Sequence, residues 1–256
     1  MPVTTQTGAR PGVALVRIDN PERRNALDTA TRQALLAALE ALRASDARAV
    51  VLTGTGATFA AGADLRETAA RSVEEQRAFI SSPRMYEAIE RFPKPVVAAI
   101  NGHALGAGLE LAMACDLRVA AEDAKLGQPE IRLGLIPGGG GTQRLPRLVG
   151  MGRALELILA GEAISGVEAA TWGLVNRAVA REAVLDAALD LAAAVARWSP
   201  VALAEAKAAT RRAWEAPLEE GCRAEIEHFM TAFASEDARE GVRAFLEKRE
   251  PRFRGT

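Results

Sequence analysis

Short β-branched runs alternate with helix-patterned stretches along the first two thirds of this chain, and then the β-branched runs stop. The runs at 13–18, 49–53, 96–100, 117–120 and 174–179 each read as a strand. Between them, Leu35, Leu39 and Leu42 recur at i, i+4, i+7 within a helical pattern over 28–43, and Phe79, Met85 and Ile89 mark a similar stripe over 73–92. Such alternation favours an α/β fold. From about 182 onward only helical patterns remain, at 183–197, 200–214, 218–234 and 237–249, the second opened by Ser199-Pro200, an N-cap followed by proline at the first helical position. The expected organisation is an α/β core over 1–195 and an all-helical C-terminal region over 196–256.

The 256 residues are enough for one large hydrophobic core with a smaller appendage. The 32 basic and 33 acidic side chains nearly cancel, so the overall charge argues against nucleic acid or an anionic membrane surface as partner. Two cysteines, Cys115 in an apolar run and Cys222 in a polar one, form neither a disulfide framework nor a metal-ligand spacing. A cytoplasmic protein without a metal is the expectation. The N-terminal stretch has no apolar h-region, and no window approaches the 18 uninterrupted apolar residues of a membrane span, so neither secretion nor membrane insertion is expected.

Two carboxylates stand inside glycine-rich, mostly apolar sequence: Glu110 in PVVAAINGHALGAGLELAMACD and Glu130 in KLGQPEIRLGLIPGGGGTQR. Burying an unpaired carboxylate costs roughly several kcal/mol. Each is therefore either used, as half of an acid/base pair, or satisfied locally as a helix cap or an arginine partner. The segment from Asn101 to Glu110 follows a strand and opens a helix, where free main-chain N–H groups favour a phosphate or a developing oxyanion. A second glycine-bearing turn, from Thr53 to Asp64, also leaves a strand and enters a helix. Two N–H groups converging from these turns would make an oxyanion hole, with the small side chains of Ala63 and Ala107 allowing close approach; alternatively the glycines serve only the turn geometry.

Other motifs point elsewhere only weakly. Gly106-Ala107-Gly108 opens like a dinucleotide fingerprint, but Leu111 stands where its third glycine or alanine belongs. The run Gly138 to Gly141 lacks the Lys-Ser/Thr pair of a P-loop, which argues against nucleotide hydrolysis. His103 and His228 are too few for a histidine-rich metal site, and no serine sits in a nucleophile elbow. His103 reads as packing or pocket lining, and Asp116 and Asp123 as turn residues beside a strand.

Six ordered segments, ALVRIDNP with Asn25-Ala26-Leu27, VLTG, FAAGADL, KPVVAAING, GQPE and IPGGGGTQR, resemble the enoyl-CoA hydratase/isomerase (crotonase) superfamily over essentially the whole chain. The resemblance implies a spiral of ββα units, assembled as trimers or hexamers, that binds an acyl-CoA thioester with its carbonyl between two main-chain N–H groups. Those groups map onto Ala63 and Ala107; many relatives have glycine at the latter, and the extra methyl here narrows the space for the acyl chain. The loop Ala61, Gly62, Ala63, Asp64 and Leu65 would hold the adenine. Glu110 would match the glutamate that activates water and Glu130 the one that protonates the α-carbon, the pair kept by the hydratase branch. Arg23, Arg24 and Lys248, the last with Arg249, Arg252 and Arg254, are candidates for the CoA phosphates, with a solvated surface role as the alternative.

The expected activity is hydration of trans-2-enoyl-CoA to 3-hydroxyacyl-CoA, with no cofactor beyond the CoA of the substrate. Enoyl isomerisation and thioester hydrolysis are the nearest rivals on the same oxyanion hole. A non-enzymatic RNA-binding protein on the same fold is more distant, because the basic residues are dispersed among acids. The segment 66–93 matches no family motif and is expected to set acyl-chain length. From Leu218 onward, an apolar stripe of Ile226, Phe229, Met230 and Phe233 is expected to assemble the oligomer, and the basic tail to complete the CoA site.

Overall fold

Three consecutive strand pairs each send their first strand into one sheet and their second into another. The computed structural model describes residues 1–81 and 84–256. Its strands are β1 (Val3–Arg10), β2 (Val13–Ile18), β3 (Ala49–Gly54), β4 (Thr58–Ala60), β5 (Val96–Ile100), β6 (His103–Leu105), β7 (Leu117–Ala121), β8 (Lys125–Gly127), β9 (Ala163–Ser165) and β10 (Arg177–Val179). Its helices are α1 (Thr29–Arg43), α2 (Leu65–Ala70), α3 (Val73–Ser81), α4 (Met85–Glu90), α5 (Ala107–Ala114), α6 (Gly141–Val149), α7 (Met151–Ala160), α8 (Gly166–Thr171), α9 (Val184–Ala196), α10 (Pro200–Arg211), α11 (Leu218–Ala234) and α12 (Glu236–Leu246).

The larger sheet runs β1-β2-β3-β5-β7-β10 and the smaller β4-β6-β8-β9. Within the larger sheet only β1 runs antiparallel to its neighbour, and β3, β5 and β7 are successive parallel strands. Their partners β4, β6 and β8 are parallel too, so each ββα unit repeats the last with an offset and the chain spirals. The spiral brings the C-terminal ends of β4, β6 and β8 side by side, and three turns leave from there.

The parallel strands β3 and β5 are buried at every residue, which explains their unbroken apolar runs. Helix α5 is buried throughout, Glu110 included, so its apolar character on all sides marks a core helix and not a surface one. Leu35, Leu39 and Leu42 of α1 are buried as their spacing predicts. Helix α9 lies against β3, β5 and β7, and α10 is tied to the core by Lys207 and Arg211, which pair with Asp116 at 2.7 and 2.8 Å.

Several expected boundaries shift. The strand expected over 174–179 is confined to β10; Leu174 and Val175 are buried, but in a bend whose main chain bonds to Ala169. The helix expected over 73–92 is two helices, α3 and α4, with Arg84 extended at the start of α4, while residues 82 and 83 lie outside the described residues. Phe79 is half-buried beneath the Arg71 guanidinium, 3.8 Å from its ring centre, and Met85 and Ile89 are buried. The helix expected over 200–214 closes in a 3-10 turn after Arg211, and the last helix ends at Leu246. Strand β1 was hidden by its polar sequence, and β4, β6, β8 and β9 by their three-residue length.

Candidate active site

The turn after β4 and the turn after β6 lie against each other. A Cβ built on Gly62 would stand 3.1 Å from the Leu105 carbonyl oxygen and 4.0 Å from the Ala107 nitrogen. Leu27 pairs alongside Ala63 and its N–H donates to Gly62 O at 2.8 Å, fixing the first turn from the other side. Among the described residues, neither the Ala63 N–H nor the Ala107 N–H has a main-chain acceptor. Ala107 opens α5, so its N–H is one of the unpaired donors at a helix start, where the dipole favours negative charge. Two free N–H groups from abutting turns can hold one oxygen between them.

Gly106, which precedes Ala107, has φ +52°, a conformation glycine tolerates and other residues strain to adopt. A Cβ there would stand 2.9 Å from Glu130 Oε1, so Glu130, carried by the 3-10 turn Pro129–Leu133 after β8, lies against the start of α5. Glu110 lies one turn further along the same helix, its N–H donating to Gly106 O at 3.0 Å. Its carboxylate Oε1 accepts the N–H groups of Gly139 and Gly141 at 2.7 and 2.8 Å.

Burial pushes both carboxylates up, and they differ in what opposes the shift. Burial pushes Glu110 above the usual carboxylate range, while the donors from Gly141 and Gly139 and the Arg144 charge hold it back. Burial pushes Glu130 to about 7, its own main-chain N–H opposing and the Glu110 charge reinforcing the shift. The buried Gln128 amide, oriented with its nitrogen toward Glu130, donates to both carboxylate oxygens at 3.0 and 3.1 Å and also favours the ionised form. A carboxyl that titrates near neutrality beside one that has fixed donors for its ionised form is a division suited to acid and base.

The loop Ala61 to Leu65 is organised by Asp64. Its Oδ1 caps α2 by accepting from Arg66 and Glu67 at 2.8 and 3.2 Å, and its Oδ2 pairs with Arg23 at 3.2 Å. Burial pushes this carboxyl up, but the two N–H groups and Arg23 outweigh it and leave it below its usual value. Arg24 is exposed, with its carbonyl accepting the Ala61 N–H at 3.1 Å. Ala61, Gly62, Ala63, Asp64, Leu65, Arg23, Arg24, Ala107, Glu110 and Glu130 therefore form one neighbourhood. Lys248 does not join it within the chain. It follows α12, whose tail returns to Arg48 at the N-terminal end of β3, where Arg48 Nη2 donates to Phe253 O at 2.6 Å. The turns that carry the site leave the opposite end of the sheets.

Residues without an expected role also reach this neighbourhood. Gln128 and Arg144 stand inside segments singled out by motif, and an amide next to an acidic residue in an apolar stretch was the available signal for Gln128. Tyr86 is buried against Gly139, with the Arg32, Arg84 and Arg144 guanidinium groups 5.8 to 5.9 Å from its ring centre. His103 lines a cavity of about 420 Å³ with Arg24 and Thr58, in keeping with a pocket-lining role. Among the described residues no group of His, Cys, Asp or Glu side chains could hold a metal ion, and no single helix is long and apolar enough to cross a membrane.

The family model for enoyl-CoA hydratase/isomerase matches residues 8–256. The chain belongs to that family. It is 46% identical over 247 residues to a probable enoyl-CoA hydratase of Bacillus subtilis, covering 95% of each chain. It is 44% identical over 248 residues to the 2,3-dehydroadipyl-CoA hydratase of Escherichia coli, again covering 95% of each. The crystal structure of an enoyl-CoA hydratase from Bacillus anthracis superposes with a TM-score of 0.94 at 39% identity, covering 100% of both chains. Relatives named as hydratases are consistent with an enzyme of the lyase type, and the mixed α/β fold with its C-terminal helices is shared with the solved hydratase structure.

Proposed function

We propose that the enzyme adds water across the double bond of a trans-2-enoyl-CoA to give a 3-hydroxyacyl-CoA. The observation that carries this reading is the pair Glu110 and Glu130, both pushed up by burial, the first with two main-chain donors for its ionised form and the second raised to about 7, beside two free main-chain N–H groups. In the proposed step the thioester oxygen accepts from Ala63 and Ala107. Ionised Glu110 takes a proton from water as its oxygen bonds to C3, and the electron pair of the double bond moves onto the thioester as an enolate. Protonated Glu130 then delivers its proton to C2. Glu110 has gained one proton and Glu130 lost one, and exchange with solvent restores both. The reaction as written needs no cofactor beyond the CoA of the substrate.

The loop Ala61 to Leu65 and Arg23 with Arg24 are proposed to hold the CoA. The stripe of Ile226, Phe229, Met230 and Phe233 supports assembly into a homo-oligomer, a trimer or hexamer, because these side chains are 51 to 63% exposed and do not turn to the chain's own core. In that assembly Lys248 of one subunit would approach the CoA of another. Two free cysteines, one buried and one exposed, fit a reducing compartment, the cytoplasm. One relative's name specifies a dicarboxylic enoyl chain, so the test is a turnover screen of trans-2-enoyl-CoAs from short to long, with branched, aromatic and carboxyl-ended chains included. Formation of 3-hydroxyacyl-CoA supports the reading; a shifted double bond or free CoA as the product replaces it with isomerisation or thioester hydrolysis.

A further inference from the structure

The segment that donates to Glu110 is held from both sides. The Gly139 N–H belongs to the peptide unit whose carbonyl, Gly138 O, accepts from Arg84 Nη1 at 3.0 Å on the opposite face. The Gly141 N–H belongs to the unit whose carbonyl, Gly140 O, accepts the Arg144 N–H at 2.8 Å. Between these units, Gly139 O accepts from Arg144 Nη1 at 2.6 Å. A hydrogen bond at a peptide oxygen polarises the N–H of the same unit and fixes its direction. The donors to Glu110 are therefore aimed from behind.

Arg144 itself has little freedom. Its Nε and Nη2 bind the two carboxylate oxygens of Glu90 at 2.7 and 2.8 Å, and only 7% of the residue is exposed. This planar two-point pairing sets orientation as well as distance. Glu90 also pairs with Arg211 of α10 at 3.3 Å, and Arg211 shares Asp116 with Lys207. The Arg144 and Glu90 side chains line a cavity of about 790 Å³ with Gly140 and α10, and Glu110 is not among its lining residues.

We infer that Arg144, seated by Glu90, is a positioning residue for Glu110 that acts through the Gly139 and Gly141 peptides. The inference rests on the proposed role of Glu110 as the base. Arg144 does not touch the reacting atoms; it holds the glycine segment so that both N–H groups meet one oxygen, Oε1, leaving Oε2 for water. Its positive charge also favours the ionised carboxylate.

Arg144→Ala, Arg144→Lys and Glu90→Gln test this, with the fold of each checked by circular dichroism. Arg144→Ala is expected to lower kcat by ~10–100-fold with little change in KM, since misplacing a catalytic group by about 1 Å costs on that order. The acid limb of its pH profile moves upward, because a cation beside Glu110 is gone. Millimolar guanidinium, entering through the cavity, restores part of the rate in Arg144→Ala and none in the wild type. Arg144→Lys and Glu90→Gln lose kcat without that upward move, since both retain a cation. In the absence of substrate, the ¹³C titration of the Glu110 carboxyl moves to higher pH in Arg144→Ala. A folded Arg144→Ala with unchanged kcat and an unchanged Glu110 titration overturns the inference. If Arg144→Ala does not fold, wild-type kcat in Arg144→Lys overturns it. Full activity in Glu110→Gln would instead remove the hydratase reading, and the carboxyl titration would still judge Arg144.

Discussion

Glu110, in the first turns of α5, and Glu130, in the 3-10 turn that lies against the start of that helix, differ in what surrounds their carboxylates. Glu110 accepts two main-chain N–H groups on one oxygen, whereas Glu130 lies against Gly106 with the Gln128 amide as its side-chain donor. That difference underlies the expected chemistry and most of the following predictions.

Glu110→Gln and Glu130→Gln should each lower hydratase kcat by ~10²–10⁴, the usual range for a lost acid or base, while keeping the fold and thioester binding. Steady-state kinetics with a trans-2-enoyl-CoA and calorimetric binding of a saturated acyl-CoA check this. Near-normal turnover by either variant makes that carboxylate structural.

The rate of hydration should fall on both sides of a maximum. At low pH Glu110 is protonated and cannot accept from water; above about 7 Glu130 loses the proton it must deliver. Gln128→Leu removes the amide nitrogen whose hydrogen bonds favour ionised Glu130, so its pKa rises and the basic limb of kcat/KM moves to higher pH. A basic limb that stays in place would disconnect Gln128 from Glu130.

Glu130→Gln should stabilise the protein, and more at pH 8 than at pH 5. The carboxyl titrates near its ordinary value when unfolded and near 7 when folded, so between those values the folded state binds more protons. Stability is therefore lost as pH rises through about 7, and the amide has no such loss. Thermal unfolding of both proteins across that pH range measures it; a gain that does not grow with pH contradicts the shift.

Ala107→Pro should damage turnover far more than Ala107→Gly, by ~10²–10³ in kcat, because only proline deletes the N–H. The first position of α5 accepts proline, and Gly106 before it is already outside the right-handed helical region. Equal activity of two folded variants would exclude the Ala107 N–H from binding the thioester oxygen.

Lys248→Met should raise KM for an enoyl-CoA more than for the matching pantetheine thioester, which lacks the phosphates. A point substitution is the cleaner test because the tail is part of the fold: buried Asp237 accepts the N–H groups of Arg254 and Gly255 at 2.7 and 2.9 Å and the Ser199 hydroxyl at 2.7 Å. Deleting the tail would leave that carboxylate short of donors. Equal effects on the two substrates would assign Lys248 to the surface.

Period and burial cost made much of this molecule legible in one dimension. Short apolar runs rich in β-branched residues, such as 96–100, read as buried strands in an alternating α/β pattern, and a carboxylate inside an apolar helix such as Glu110 announces its own expense. The three-residue strands were illegible because a run that short has no period to detect, and the polar β1 because its side chains are mostly exposed. The site shows the same division. Glu110, Glu130 and the two glycine turns were visible as residue types in unusual company. Which oxygen Glu110 offers, and the difference between its donors and those of Glu130, depended on the glycine segment at 138–141, about thirty residues away, and on Arg144 and Glu90, from separate helices. Hydrogen-bond direction and dielectric surroundings come from groups that only the spiral brings together, so no local pattern could encode them.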